Sequence, residues 1–267
     1  MIRTCILLVF LLQTLVLNAQ EKARPFNIST KKDLPILAVG ASGLILASVL
    51  NSSIKPLTEE QIASLDPSQI NAFDRPAVDQ YNGRKENISD LLLGVSILTP
   101  LSLFADKNIR HDAAPIAVML SEVAMLNVGV TSSFKGGFKR IRPYVYNPDI
   151  PLSKKTNKKS RHAYFSGHVS NAASLSFFTA SVVSKYSQNP TVKTLVWTGA
   201  ILLPAATGYL RYKSGKHYPT DVITGYMVGA SIGYLIPKLH ESKTNKSKTG
   251  GLSYAISPGH VSFTYKF

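Results

Sequence analysis

Six apolar runs, each of about 15 to 22 residues, set what this chain can fold into. They are Leu34–Leu50, Leu91–Ala105, Ala113–Phe134, Val169–Ser184, Thr194–Leu210 and Val222–Ile236. Runs of that length exceed ordinary strands, and none alternates strictly between apolar and polar positions, so each predicts a helix. A membrane-spanning helix needs about 20 apolar residues. Several runs fall short of that, and Glu122 and Asn127 interrupt the longest. Core helices of a soluble bundle and tilted membrane spans both fit the pattern, and a mean hydropathy of +0.06 sits between the two. If a leader were removed and all six runs crossed a membrane, the loop from Lys135 to Ser166 would face the cytoplasm. A site exported in that loop requires one run not to cross. Leu34–Leu50, which holds Pro35, Gly40 and Gly43, is the weakest of the six.

The remaining segments divide around these runs. Arg3, the apolar stretch Cys5–Leu17 and the small residue Ala19 before Gln20 read as a secretory signal peptide over 1–19, in preference to a membrane anchor. This predicts export, to the periplasm or the cell-envelope membrane. Residues 20–90 read as an N-terminal helix and an irregular segment broken by Pro56, Pro67 and Pro76. Residues 91–238 form the expected bundle, and 239–267 a linker and terminal hairpin. The hairpin signal is alternation: Leu252, Tyr254 and Ile256, then Ser257-Pro258-Gly259, then Val261, Phe263, Tyr265 and Phe267. The expected fold class is therefore all-α: about six core helices with a short C-terminal β-hairpin.

Composition narrows the function classes. A 45% hydrophobic content excludes intrinsic disorder. The single cysteine, Cys5, excludes a disulfide scaffold and a cysteine zinc site. Thirty Lys+Arg against fifteen Asp+Glu give a net charge of +15. Such an excess attracts phosphate esters, anionic lipid surfaces or nucleic acid without choosing among them.

Three segments at the ends of apolar runs carry chemistry. In Lys135-Gly136-Gly137-Phe138-Lys139-Arg140-Ile141-Arg142-Pro143, a helix would put Lys135, Lys139 and Arg142 on one face. Pro143 favours an extended Arg142 and ends the helix there. Taken alone, this is an ordinary solvated basic face. In Ser166-Gly167-His168, Ser166 suits a helix N-cap, Gly167 admits close backbone approach, and helix-start N–H groups bind anions. In Arg211 … His217-Tyr218-Pro219-Thr220-Asp221, Pro219 suits the first helical position and Asp221 the first turn. A carboxylate there could accept the Nδ1 proton of His217 and leave Nε2 as a nucleophile. It could equally be a capping acid beside an incidental histidine. Together the segments bring cations, helix N-termini, two histidines and one acid to run ends that can share a mouth.

In these residues the sequence resembles the type 2 phosphatidic acid phosphatase (PAP2) superfamily, which is related to vanadium haloperoxidases. The family pattern is Lys-x6-Arg-Pro, Pro-Ser-Gly-His and Ser-Arg-x5-His-x3-Asp. Here it reads Lys135 … Arg142-Pro143, Ser166-Gly167-His168 and Arg211 … His217 … Asp221, inside a resemblance over about residues 90–240. Phe165 stands where the family has Pro, and Leu210 where it has Ser; the second puts one phosphate contact in doubt. The resemblance implies that His217 attacks phosphorus, Asp221 orients it, and His168 protonates the leaving oxygen. Lys135, Arg142 and Arg211 would bind the phosphate oxygens, with Ser166 and the Gly167 amide adding hydrogen bonds. Three fixed cations can neutralise a phosphoryl group, so neither a cofactor nor a metal is implied.

The implied substrate is a phosphorylated lipid (phosphatidic acid, phosphatidylglycerol phosphate, undecaprenyl diphosphate or lipid A type) or a small phosphate ester. Membrane association, a periplasmic-side site and no nucleic-acid partner go with that reading. The alternatives are a broad-specificity exported acid phosphatase and a vanadate-dependent haloperoxidase. A non-catalytic basic envelope protein would leave Asp221 and the histidines at motif spacing unexplained. Lys139 and Arg140 match no motif position and are read as substrate or surface contacts. Arg161 and His162, near the second motif, could line the pocket, with surface placement preferred; His111, His240 and His260 are read as ordinary surface or core histidines.

Overall fold

The structure, a computed structural model, describes residues 24–242, 251–257 and 260–266. The signal-peptide expectation over 1–19, most of the linker and the residues 258–259 between the strands lie outside the described residues. Nine α-helices follow in order among those described. They are α1 (Thr30–Ser52), α2 (Glu59–Ala63), α3 (Gly83–Ser102), α4 (Lys107–His111), α5 (Ala113–Phe138), α6 (Leu152–Lys155), α7 (Gly167–Tyr186), α8 (Pro190–Lys213) and α9 (Pro219–His240). Two strands, β1 (Gly251–Ser257) and β2 (His260–Lys266), pair antiparallel with Ser257 opposite His260. All six apolar runs are helices, and the fold class is all-α as expected.

The bundle is arranged around α7, which contacts α3, α5, α8 and α9, while α1 lies along α5. Small residues let these helices approach closely, as in membrane-helix packing. Gly225, Gly229 and Gly233 form one edge of α9. A Cβ built on each would fall 2.6, 2.1 and 2.2 Å from the backbone oxygens of Ser166, Ser170 and Ser174. Backbone cannot yield as a side-chain tip can. Gly229→Ala is therefore expected to destabilise the protein by about 1–3 kcal/mol or more. Gly94→Ala meets no atom within 4 Å and is expected to be neutral or stabilising. Thermal unfolding of both variants in detergent checks the pair; equal melting temperatures would refute the packing argument.

The α1–α5 seam uses the same device. A Cβ on Gly129 would lie 2.9 Å from the Gly40 carbonyl oxygen. Leu34–Leu50 was expected to be the weakest candidate span, but its glycines seat α1 against α5. Among the described residues, four helical segments are long and apolar enough to cross a membrane: Thr30–Ser52, Gly83–Ala105, Ala113–Val145 and Pro219–His240. Thr30–Ser52 has the highest mean hydropathy of the four, 1.9. Their outward faces carry exposed Ile45, Val49, Leu91, Leu98, Met227 and Leu235. Inside the bundle, Ser170, Ser174 and Asn127 are buried, with Asn127 Nδ2 donating to Asn171 Oδ1 at 2.7 Å. Apolar outside and hydrogen-bonded polar inside is the pattern that lipid contact favours, and it supports association with a membrane.

Candidate active site

The ends of four helices meet at one end of the bundle. Helix α5 stops at Phe138 because Lys139 takes a left-handed conformation (φ 49°), with its N–H on the Lys135 carbonyl. The basic segment is therefore not one helical face out to Arg142. Lys135 stays in the last turn, Lys139 Nζ turns away to Ser53 Oγ at 3.4 Å, and Arg142 is extended (ψ 150°) as Pro143 requires. The Arg142 N–H donates to the Ser160 carbonyl at 2.8 Å, which fixes that strand-like stretch beside 158–165.

The second segment sits on the third. The Ser166 N–H donates to the Asp221 carbonyl at 3.0 Å, so α7 and α9 begin side by side. Ser166 occupies the N-cap position of α7, but its hydroxyl caps nothing; it is fully buried and has no partner among the described residues. A Cβ on Gly167 would lie 3.1 Å from Lys135 Nζ, so the first turn of α7 faces that ammonium closely. The turn leading to α9 reverses at Gly215 (φ 68°), where a Cβ would collide with the Gln80 carbonyl oxygen at 2.1 Å; only glycine fits. That reversal returns His217 under α7.

His217 is fully buried, and its Nδ1 lies 2.7 Å from the Ala163 carbonyl oxygen. A carbonyl only accepts, so Nδ1 carries the proton and Nε2 presents its lone pair. Nε2 has no hydrogen-bond partner among the described residues. Burial, then the charges of Arg142, Lys135 and Arg211, hold this imidazole well below its ordinary value, so it is neutral at neutral pH. The orienting bond expected from Asp221 is absent. Its Oδ2 is 3.6 Å from Nδ1 and instead accepts the Tyr218 N–H at 2.8 Å, as a helix-capping carboxylate does. The capping role and the nearness to His217 coexist, because one oxygen serves the turn that carries the histidine.

Asp221 Oδ1 belongs to a network that no motif announced. Arg140 Nη1 donates to it at 2.6 Å and Arg140 Nη2 to Asp74 Oδ2 at 2.7 Å. The Arg140 guanidinium lies 4.0 Å above the Tyr218 ring. Asp74 also accepts from Asn71 Nδ2, the Thr220 N–H and the Thr220 hydroxyl. Arg140 is thus an internal tie between two fully buried carboxylates, in place of the expected substrate or surface contact.

The other predicted residues gather nearby. Arg211, buried in the last turn of α8, donates through Nη1 to Ser89 Oγ (3.1 Å) and Asp90 Oδ1 (3.0 Å). His168 Nε2 meets the same Asp90 oxygen at 2.8 Å. Burial and the Arg211 charge hold His168 below its ordinary value, with Asp90 opposing them. His162 is half-buried, which fits the pocket-lining alternative and not the preferred surface placement. Burial and the charges of Lys135 and Arg142 push it down to about 4, and its carbonyl accepts from Arg142 Nη2 at 3.4 Å. Arg161 does turn outward, to Gln61 Oε1 at 3.0 Å. Arg142 Nε, Arg211 Nε and Ser166 Oγ are buried polar atoms without partners among the described residues. The cluster therefore concentrates positive charge and unpaired donors around one bare imidazole nitrogen, a setting for a phosphoryl dianion. Asp74, Asp90 and the Ala163 carbonyl were missed by sequence reasoning, and Arg140 was given the wrong role. Asp90, at the edge of an apolar run, and Arg140, inside the basic segment, had weak signals; Asp74 had none.

Residues 116–245 match the family model described as the PAP2 superfamily. The lipid A 4'-phosphatase of Porphyromonas gingivalis is 28% identical over 149 residues, 55% of this chain and 59% of that protein. The match thus spans less than two thirds of the relative's length. A crystal structure of a transmembrane PAP2 type phosphatidylglycerolphosphate phosphatase from Bacillus subtilis superposes with a TM-score of 0.48 at 21% identity. It covers 79% of this chain and 98% of the other.

Proposed function

On the premise that the chain belongs to the PAP2 superfamily through residues 116–245, we propose that it hydrolyses phosphomonoester or diphosphate groups of lipids. The reaction runs through a phosphohistidine on His217, and side-chain cations take the part of a catalytic metal. The observation that carries the reading is the bare, buried Nε2 of His217 beside Lys135, Arg142 and Arg211.

In the first step the Nε2 lone pair attacks phosphorus and the bond to the leaving oxygen breaks. His168 gives that oxygen its proton. Lys135, Arg142 and Arg211 neutralise the phosphoryl oxygens, with the Ser166 hydroxyl and the Gly167 N–H as further donors. Asp221, 3.6 Å from Nδ1, steadies the positive charge that forms on the ring. In the second step water attacks phosphorus, His168 takes its proton, the P–N bond breaks and phosphate leaves. His168 must be protonated for the first step although burial and Arg211 oppose that charge. An incoming phosphate dianion, exchanging with Asp90 at Arg211 and His168, supplies the field that favours it.

The lipid part of the reading rests on the membrane-capable helices and on an aromatic patch at the mouth. Phe138 is 63% exposed, stacks on Phe134 at 5.6 Å between ring centroids, and meets Tyr164 at 4.8 Å. Exposed rings beside a cationic site suit an acyl chain entering next to its phosphate. The relative named as a lipid A 4'-phosphatase makes the lipid A phosphate the first substrate to try. The test is phosphate release by detergent-purified protein from lipid A, phosphatidic acid, phosphatidylglycerol phosphate and undecaprenyl diphosphate, against a soluble aryl phosphate. The expected result is kcat/KM at least tenfold higher for a lipid, unchanged when EDTA is added to the assay. A soluble ester that outpaces every lipid would support the exported acid phosphatase instead.

A further inference from the structure

A second cluster of chemistry-bearing side chains lies far from the phosphate site. Asp33 in the first turn of α1, Glu122 in α5 and His240 at the end of α9 converge, one ligand atom from each lying within 4.8 Å of the others. Glu122 and Lys135 share α5 and are thirteen residues apart, which at 1.5 Å per residue is about 20 Å. Nothing in the proposed phosphoryl transfer uses this cluster.

Two carboxylates share one imidazole here, so at least one negative charge is left without a partner inside the cluster. His240 Nδ1 donates to the Ile236 carbonyl oxygen at 2.8 Å, which leaves Nε2 as the ring nitrogen that faces the two carboxylates. Nε2 is 2.9 Å from Asp33 Oδ1 and 3.4 Å from Glu122 Oε2. Glu122 is fully buried, and neither of its oxygens has a hydrogen-bond partner among the described residues. Burying such a carboxylate uncompensated is strongly unfavourable. The lysines and arginine nearby are engaged elsewhere: Lys32 Nζ on the Leu239 carbonyl, Lys185 and Lys238 on Glu241, Arg24 on Asp112.

We propose that Asp33, Glu122 and His240 bind one divalent transition-metal ion of the zinc type, which ties α1, α5 and α9 together. On binding, the ion takes the place of the Nε2 proton and the two carboxylates offset its charge, an N/O donor set that suits it. Tetrahedral ligation at about 2.1 Å separates neighbouring ligand atoms by about 3.4 Å. The Nε2–Oε2 distance has that value, and the Nε2–Oδ1 pair opens by about half an ångström on binding. Outer contacts already orient two ligands: the Ile236 carbonyl sets the imidazole tautomer, and the Ser29 N–H holds Asp33 Oδ2 at 2.8 Å. Water takes the fourth position.

The experiment uses tag-free full-length protein in detergent, stripped by dialysis against a chelator and titrated with Co²⁺, then with Zn²⁺. The expected result is one ion per chain after gel filtration, visible Co²⁺ absorption of a low-coordinate centre that Zn²⁺ quenches, and a higher melting temperature with Zn²⁺. Glu122→Gln, a near-isosteric change outside the phosphate site, is expected to weaken binding more than tenfold. Wild-type protein that shows no Co²⁺ absorption and no retained zinc overturns the proposal and assigns the cluster a proton. Equal retention by a folded Glu122→Gln variant overturns it as well. Bound metal is the readout, so the outcome stands apart from any phosphatase assay.

Discussion

His217→Ala is expected to remove phosphate release, with kcat lower by on the order of 10⁴-fold or more, as when one member of a cooperating nucleophilic unit is lost. The size follows from the site. Nε2 is a fully buried, unpartnered nitrogen with its lone pair exposed by the Nδ1–H bond to Ala163. No other nucleophile is placed to replace it: the His168 Nε2 is taken by Asp90. Binding of the phosphate by Lys135, Arg142 and Arg211 survives the change, so KM moves far less than kcat. Trapping distinguishes this from a folding defect. Wild-type protein quenched during turnover of a ³²P-labelled substrate should carry acid-labile, alkali-stable label, and the variant none. Undiminished turnover in the variant would sink the phosphohistidine reading.

Arg140→Ala is expected to cost about 3–5 kcal/mol of stability, the range for removing one partner of a buried ion pair. The arginine lies between Asp74 and Asp221, both fully buried, and its loss leaves two carboxylates facing each other in the interior. Thermal unfolding in detergent measures it. Arg140→Lys keeps the charge but not the fork that reaches both acids, and should recover only part of the loss. Activity should fall further than stability explains, because Asp221 also holds the Tyr218 N–H beside His217. A split in which kcat drops and KM stays marks Arg140 as a positioning residue. Wild-type stability in Arg140→Ala would show the network to be dispensable. The cycle of Arg140→Ala with Asp74→Asn reads their coupling directly.

Much of the scaffold was legible because it is local. Run length and the absence of strict alternation predict helices, and all six runs form them. Pro143 predicts an extended Arg142, and Pro219 predicts the start of α9; both stand. Errors arose where a residue's role depends on something distant. The reach of α5 was overestimated because a lysine in the left-handed conformation leaves no signature in composition. The glycines of Leu34–Leu50 made it the weakest candidate to cross a membrane, although the facing Gly129 turns them into a packing surface.

The sequence by itself determined which chemistry is available: three cations, two histidines and one acid at fixed spacings, on helices built by their own apolar runs. Spacing along a helix sets which side chains share a face, so these statements need no partner. Tertiary structure alone decided who bonds to whom. Asp74 reaches Arg140 across 66 residues and Thr220 across 146, and the Ala163 carbonyl takes the Nδ1 proton that Asp221 was expected to accept. A hydrogen bond exists only within a few tenths of an ångström and a limited angle, and that geometry is set by how closely α7 and α9 approach.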